Sequence, residues 1–153
     1  MIQEAASERP VNIHEEESMS QAAPEGISIE DVEYLRHGDQ PLLATVYRPK
    51  AGKGPFPLVI DLHGGAWYRK DRLGDAGVNI PMAQQGIVVA ALDFRMPPGA
   101  GYPASLQDVN YAVRWFKANA ERFGSTASQV CLMGFSSGAH QAILNSVRKT
   151  NPR

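Results

Sequence analysis

The chain has 153 residues, 43% of them hydrophobic and 20% charged, with a formal net charge of −1. That is one domain's length with enough apolar content for a core, and the charge balance points to neither nucleic acid nor an anionic membrane surface. A single cysteine, Cys131, excludes an internal disulfide framework, and with no 18-residue apolar run and no basic-then-apolar leader, the expectation is a cytoplasmic location away from membranes.

Residues 1–27 are polar and acidic: Glu4, Glu8, Glu15, Glu16, Glu17 and Glu25 stand against one base, Arg9. They read as a flexible acidic tail ahead of a domain spanning 28–153. Ile29–Arg36 and Leu42–Arg48 read as paired strands around the turn His37-Gly38-Asp39-Gln40. A Pro- and Gly-rich loop leads to Leu58–Leu62, a short apolar strand of the kind buried on both faces. A helix is predicted within Asp75–Gln85, stopping at Gly86, with Pro81 as a disturbance inside it. Ile87–Phe94 is the next buried strand.

The spacing of Leu106, Val109, Val113, Phe116, Ala120 and Phe123 predicts one helix over Leu106–Phe123, with these residues on one face. Ser105 and Asp108 have capping-box spacing at its start, and Gly124 stops it. Gln129–Met133 reads as a strand with Cys131 a small buried residue in it, and Ser137–Lys149 as a helix. Strands alternating with helices imply an α/β fold: a mostly parallel sheet of about five strands with helices on both faces. Chemistry in such sheets gathers at the carboxyl ends of the strands.

Two motifs sit at such ends. Gly134-Phe135-Ser136-Ser137-Gly138 is a G-x-S-x-G string between a strand and a helix, the context of a nucleophile elbow. Gly134 and Gly138 leave room for a tight turn, and the turn projects the Ser136 hydroxyl. The N–H of Ser137 then faces the place where an oxyanion forms. His63-Gly64-Gly65-Ala66-Trp67 follows Leu58–Leu62. Successive glycines let such a loop present backbone N–H donors, the material of an oxyanion hole. His63 reads as the brace of this glycine turn rather than as a base for Ser136. No cofactor or metal is implied: there is neither a phosphate-cradling glycine loop nor a His/Cys cluster.

With these motifs, Asp93-Phe94-Arg95, Tyr102-Pro103-Ala104, Asp108 and Trp115, the chain resembles the amino-terminal half of an α/β-hydrolase. Its resemblance is to the hormone-sensitive-lipase-like esterases, and among them to members reading His-Gly-Gly-x-Trp. The resemblance implies a partial α/β-hydrolase fold lacking its C-terminal strands. It implies a carboxylesterase acting on small carboxylic esters through an acyl-Ser136 intermediate, with Gly65, Ala66 and Ser137 as oxyanion donors. His63, Gly64, Gly134 and Gly138 would be structural near the site, and Asp93 and Arg95 would brace the fold. An aryl formamide is the alternative substrate.

Ala66 departs from the commoner third glycine, Phe94 from a usual tyrosine and Ser137 from a frequent alanine. The family places its catalytic Asp and His after the serine. Beyond Ser136 this chain has no Asp or Glu and one histidine, His140, which lies one turn along the elbow helix and is not expected to be the base. Two other readings follow: a non-catalytic binding module, or an inactive truncated product. In the truncated product, Gln129–Met133 would be an exposed sheet edge open to self-association.

Overall fold

A computed structural model describes residues 24–147. Most of the expected acidic tail lies outside the described residues. Its last residue, Ile27, opens the first strand and is fully buried.

Strands β1 (Ile27–His37) and β2 (Gln40–Pro49) form an antiparallel hairpin. Its register shifts between Glu33 and Leu35, and Tyr34 in that bulge is buried with its hydroxyl donating to the Asp93 carbonyl at 2.5 Å. Strands β3 (Leu58–Leu62), β4 (Val88–Leu92) and β5 (Val130–Gly134) complete a sheet ordered β1-β2-β4-β3-β5. β2 pairs antiparallel with β4, while β3 pairs parallel with both β4 and β5. Only β2 opposes the common strand direction.

Strand alternation divides the core. Leu58, Ile60, Leu62, Val88, Ala90 and Leu92 face helix α2 (Ala104–Ala118), where they meet Val109, Ala112 and Phe116. Val89 and Ala91 face the other way and pack with Ala83 and Ile80 of helix α1 (Ala76–Gln84). Pro81 is accommodated inside α1. Helix α3 (Ser137–Val147) packs on β5 and β3, on the α2 side.

Three expectations need correction. The long predicted helix is broken: α2 ends at Ala118, and Ala120–Phe123 is a 3₁₀ turn closed by Gly124 at φ 75°. The break falls at Asn119, whose backbone N–H at 3.0 Å and side-chain amide at 2.8 Å both donate to the Trp115 carbonyl. The apolar stripe survives, with Phe116, Ala120 and Phe123 all buried. The capping box does not form. α2 starts at Ala104 after Pro103, with no side-chain cap. Asp108 turns instead to Arg95, accepting from its backbone N–H at 3.0 Å and from Nη2 at 2.8 Å, and it contacts His37 Nε2 at 2.9 Å. Cys131 is exposed rather than buried, because β5 is the edge strand.

Candidate active site

The site is built where β3 and β5 end side by side, with Leu62 in register with Gly134. β5 runs into α3 through a turn of two residues. Gly138 donates its N–H to the Phe135 carbonyl at 2.8 Å, and His140 donates to the Ser136 carbonyl at 3.2 Å. A Cβ on Gly134 would sit 2.5 Å from the Gly138 carbonyl carbon, and one on Gly138 would sit 1.9 Å from the Leu62 oxygen. Both positions therefore require glycine. Ser136 is left exposed at the apex with φ 51°, the left-handed region that an L-residue enters only under strain.

The loop after β3 lies against this turn. A Cβ on Gly64 would sit 3.0 Å from the Phe135 carbonyl oxygen and 3.4 Å from Ser136 Cβ. Gly65 has φ 113° and its Cβ would strike the Arg69 carbonyl oxygen at 2.1 Å. Ala66 and Trp67 follow at φ 54° and 65°. The Gly65 carbonyl accepts the N–H groups of Tyr68 and Arg69, which ties the loop into a closed turn. Among the described residues, the N–H groups of Gly65, Ala66 and Ser137 have no acceptor. Three donors are thus free near an exposed serine hydroxyl.

His63 is 2% exposed. Its Nδ1 lies 2.7 Å from the Gly64 carbonyl oxygen and its ring stacks on Phe94 at 4.5 Å. With Nδ1–H donated to Gly64, the imidazole holds the first glycine in place. His140 sits on α3 with its ring edge-on to Trp67 at 5.7 Å. Between α2 and α3 that pair opens on a pocket of about 190 Å³, lined also by Pro97, Ala100, Tyr102, Ser105, Leu106, Gln141 and Leu144.

Behind the loop, Asp61 is 1% exposed on the α1 face of β3 and accepts from Asn79 Nδ2 at 2.8 Å. Its Oδ1 and the Asn79 Oδ1 have no donor. Burial pushes the Asp61 carboxyl above its ordinary range. Arg72 braces the same region by bridging Asp31 at 2.8 Å and Asp93 at 3.0 Å. Its hydrogen bond holds the Asp31 carboxyl below its usual value.

The structure brings together all eight residues singled out in the two motifs. The sequence reading missed Phe94 as the plate under His63, Gln141 as a pocket residue and Arg72 as a bridge. The family resemblance marked Asp93 and Arg95 as braces of the fold, but Arg72 lies 21 residues before Asp93 and carries no local mark. No group of three or more His, Cys, Asp or Glu residues suited to a metal exists among the described residues, and no described helix is long and apolar enough to cross a membrane.

A family model described as BD-FAE matches residues 44–153. Esterase LipC of Mycobacterium tuberculosis is 32% identical over 76% of this chain, and the match covers 30% of LipC. The versiconal hemiacetal acetate esterase of Dothistroma septosporum is 32% identical over 68% of this chain and 33% of its own length. Among solved structures, an esterase from the archaeon Pyrobaculum calidifontis superposes with a TM-score of 0.71 at 27% identity, covering 78% of this chain and 38% of that one. A bacterial heroin esterase gives 0.74 at 23% identity over 82% and 40%, a likeness of fold. The chain spans about a third of the length of these curated relatives.

Proposed function

This chain belongs to the BD-FAE family, its sheet and helices have the α/β-hydrolase arrangement of solved esterases, and from that membership we propose that it carries the nucleophile half of a serine carboxylesterase. Ser136 Oγ attacks the carbonyl carbon of a small carboxylic ester. Its proton passes to a base as the carbonyl electron pair moves onto oxygen. The N–H groups of Gly65, Ala66 and Ser137 hold that oxyanion, each donor contributing on the order of 2.7–4 kcal/mol. Collapse expels the alcohol, which takes the proton, and leaves acyl-Ser136; water then releases the acid.

The single observation carrying this reading is the strained, exposed Ser136 standing against a loop whose amides have no other acceptor. Neither nearby histidine suits the base. His63 is sealed in with Nδ1 committed to Gly64, and His140 follows the serine on α3 and packs on Trp67. We place the base and its carboxylate on the portion of the family fold that this chain does not span. Without them, activity toward ordinary esters falls by about 10⁶-fold, as in a triad lacking its histidine. We further propose that the domain of 28–153 takes in the buried Ile27 as well, that its compartment is reducing and cytoplasmic, and that its β5 edge is a surface for self-association.

A fluorophosphonate probe tests the assignment. Labelling of the folded chain that disappears in Ser136→Ala supports a competent nucleophile. No labelling of folded protein, even with a carboxyl-terminal segment of a related esterase added, favours the non-catalytic binding module instead.

A further inference from the structure

A separate pocket of about 250 Å³ lies between the end of the β1–β2 hairpin and α2, and it shares no lining residue with the cavity beside Ser136. His37 borders it from the end of β1. α2 contributes Gln107, Asn110, Tyr111 and Arg114, spaced i, i+3, i+4 and i+7, which is one face of a helix. Arg95 reaches it from beyond the end of β4.

The charge of this pocket is lopsided. Two guanidiniums, Arg95 and Arg114, line it against one carboxylate, Asp108. That carboxylate is buried and already taken. Its Oδ2 accepts from the Arg95 backbone N–H at 3.0 Å and from Nε at 2.9 Å, and its Oδ1 accepts from Nη2 at 2.8 Å. Oδ1 also lies 2.9 Å from His37 Nε2, and because a carboxylate only accepts, that nitrogen carries the proton. Asp108 thus offsets the Arg95 charge and has little left to offer or oppose a ligand. Arg114 has no such partner: it enters no ion pair among the described residues. Asp39 stands in the hairpin turn and Glu33 is bound to Arg36 at 2.6 Å, and neither lines the space.

An occupant has to answer an uncompensated positive charge flanked by neutral hydrogen-bonding groups. A cation is repelled, and a neutral molecule leaves the charge unanswered. A carboxylate has two oxygens and matches one planar guanidinium; a phosphoryl group has oxygens for two, with others left for the amides of Gln107 and Asn110 or the Tyr111 hydroxyl. We propose that this pocket binds a phosphoryl group, as inorganic phosphate or a phosphate monoester, between Arg95 and Arg114. A monoester would lay its organic part on the exposed ring of Tyr111. The bound group joins the hairpin to α2 beside the Arg95–Asp108–His37 cluster, so occupancy also raises the unfolding midpoint. The site stands apart from Ser136 and does not depend on the esterase reading.

Inorganic phosphate, phenyl phosphate and acetate are titrated into the whole chain by calorimetry and thermal unfolding, at about 0.1 M salt, where charges beyond roughly 10 Å are screened. Phosphate is expected to bind saturably, to raise the unfolding midpoint, and to bind more tightly than acetate by about threefold or more. Arg114→Gln should weaken phosphate by about three- to tenfold, between the effect of an exposed ion pair and that of a charge-assisted hydrogen bond. Arg114 is exposed and outside the Asp108 cluster, so the variant is expected to fold, with circular dichroism as the check. Lys117→Gln, about one turn further along α2 and outside the pocket, controls for general charge and should leave the affinity nearly unchanged. Phenyl phosphate that binds more tightly than phosphate, with the excess lost in Tyr111→Ala, supports a monoester as the occupant; equal affinities support inorganic phosphate. Absence of saturable binding, acetate as tight as phosphate, or equal effects of Arg114→Gln and Lys117→Gln would overturn the proposal. Phosphate binding unchanged in Arg114→Gln would overturn it too, by placing the anion elsewhere, such as beside Ser136.

Discussion

Gly138 lies so close to Leu62 that a methyl group on its Cα would stand 1.9 Å from the Leu62 carbonyl oxygen. The obstacle is backbone at the carboxyl end of β3, a strand paired on both sides, not the end of a flexible side chain. Gly138→Ala is therefore expected to exceed ordinary overpacking and cost about 3 kcal/mol or more. Urea unfolding measures this, and an unchanged midpoint would show that α3 shifts freely away from β3.

Ser136 pays for its position in backbone strain. A non-glycine residue in the left-handed region loses about 1–2 kcal/mol, of which glycine's greater freedom in the unfolded chain offsets part. Ser136→Gly should raise stability by about 0.5–1 kcal/mol while abolishing fluorophosphonate labelling. A lowered unfolding midpoint would contradict the strain.

Asp61 imposes a pH dependence. Burial holds its carboxyl above the ordinary 3.8. Its contribution to stability is fully present below that ordinary value and is lost as pH rises through the raised one, because the unfolded chain ionises first. Asp61→Asn keeps the bond from Asn79 and supplies a donor for the orphaned Asn79 oxygen. The variant should gain about 1–2 kcal/mol at neutral pH and show a flatter profile of melting temperature against pH. An advantage that is the same at every pH would locate the effect elsewhere.

Asp108 is 1% exposed and serves Arg95 and His37 together. Asp108→Ala strands a partly buried guanidinium and frees the Arg95 backbone N–H. The expected loss is about 3–5 kcal/mol, the range for breaking a buried pair. Chemical denaturation of the variant gives the value, and a loss below the range of a surface pair would remove Asp108 as a fold determinant.

Much of this architecture was legible in the chain. The apolar run Leu58–Leu62 and the 3-4-3-4-3 spacing from Leu106 to Phe123 both report core contacts, and residues of both segments pack into the core. The two glycine motifs were legible because tight backbone packing leaves few alternatives at Gly64, Gly134 and Gly138. What failed was decided by partners far along the chain. Asp108 has the spacing of a cap, but Arg95 offers a charged fork and wins. Cys131 sits in an apolar run, but its burial depended on a strand beyond β5, and among the described residues β5 is the edge. The Cys131 thiol should accordingly react with Ellman's reagent in native buffer, and slower reaction at higher protein concentration would report pairing along β5.

One of the three donors of the proposed anion cradle hangs on the outermost ladder of the sheet. Ser137 follows β5 after a turn of two residues, whereas Gly65 and Ala66 follow β3, which is clamped on both sides. Peripheral strands open more readily than central ones, so one jaw of this vice is anchored and the other can swing. Amide protons of Val130–Gly134 should exchange ahead of those in Leu58–Leu62. Any polypeptide that docks along the outer rim would then steady the serine from a distance, without touching it.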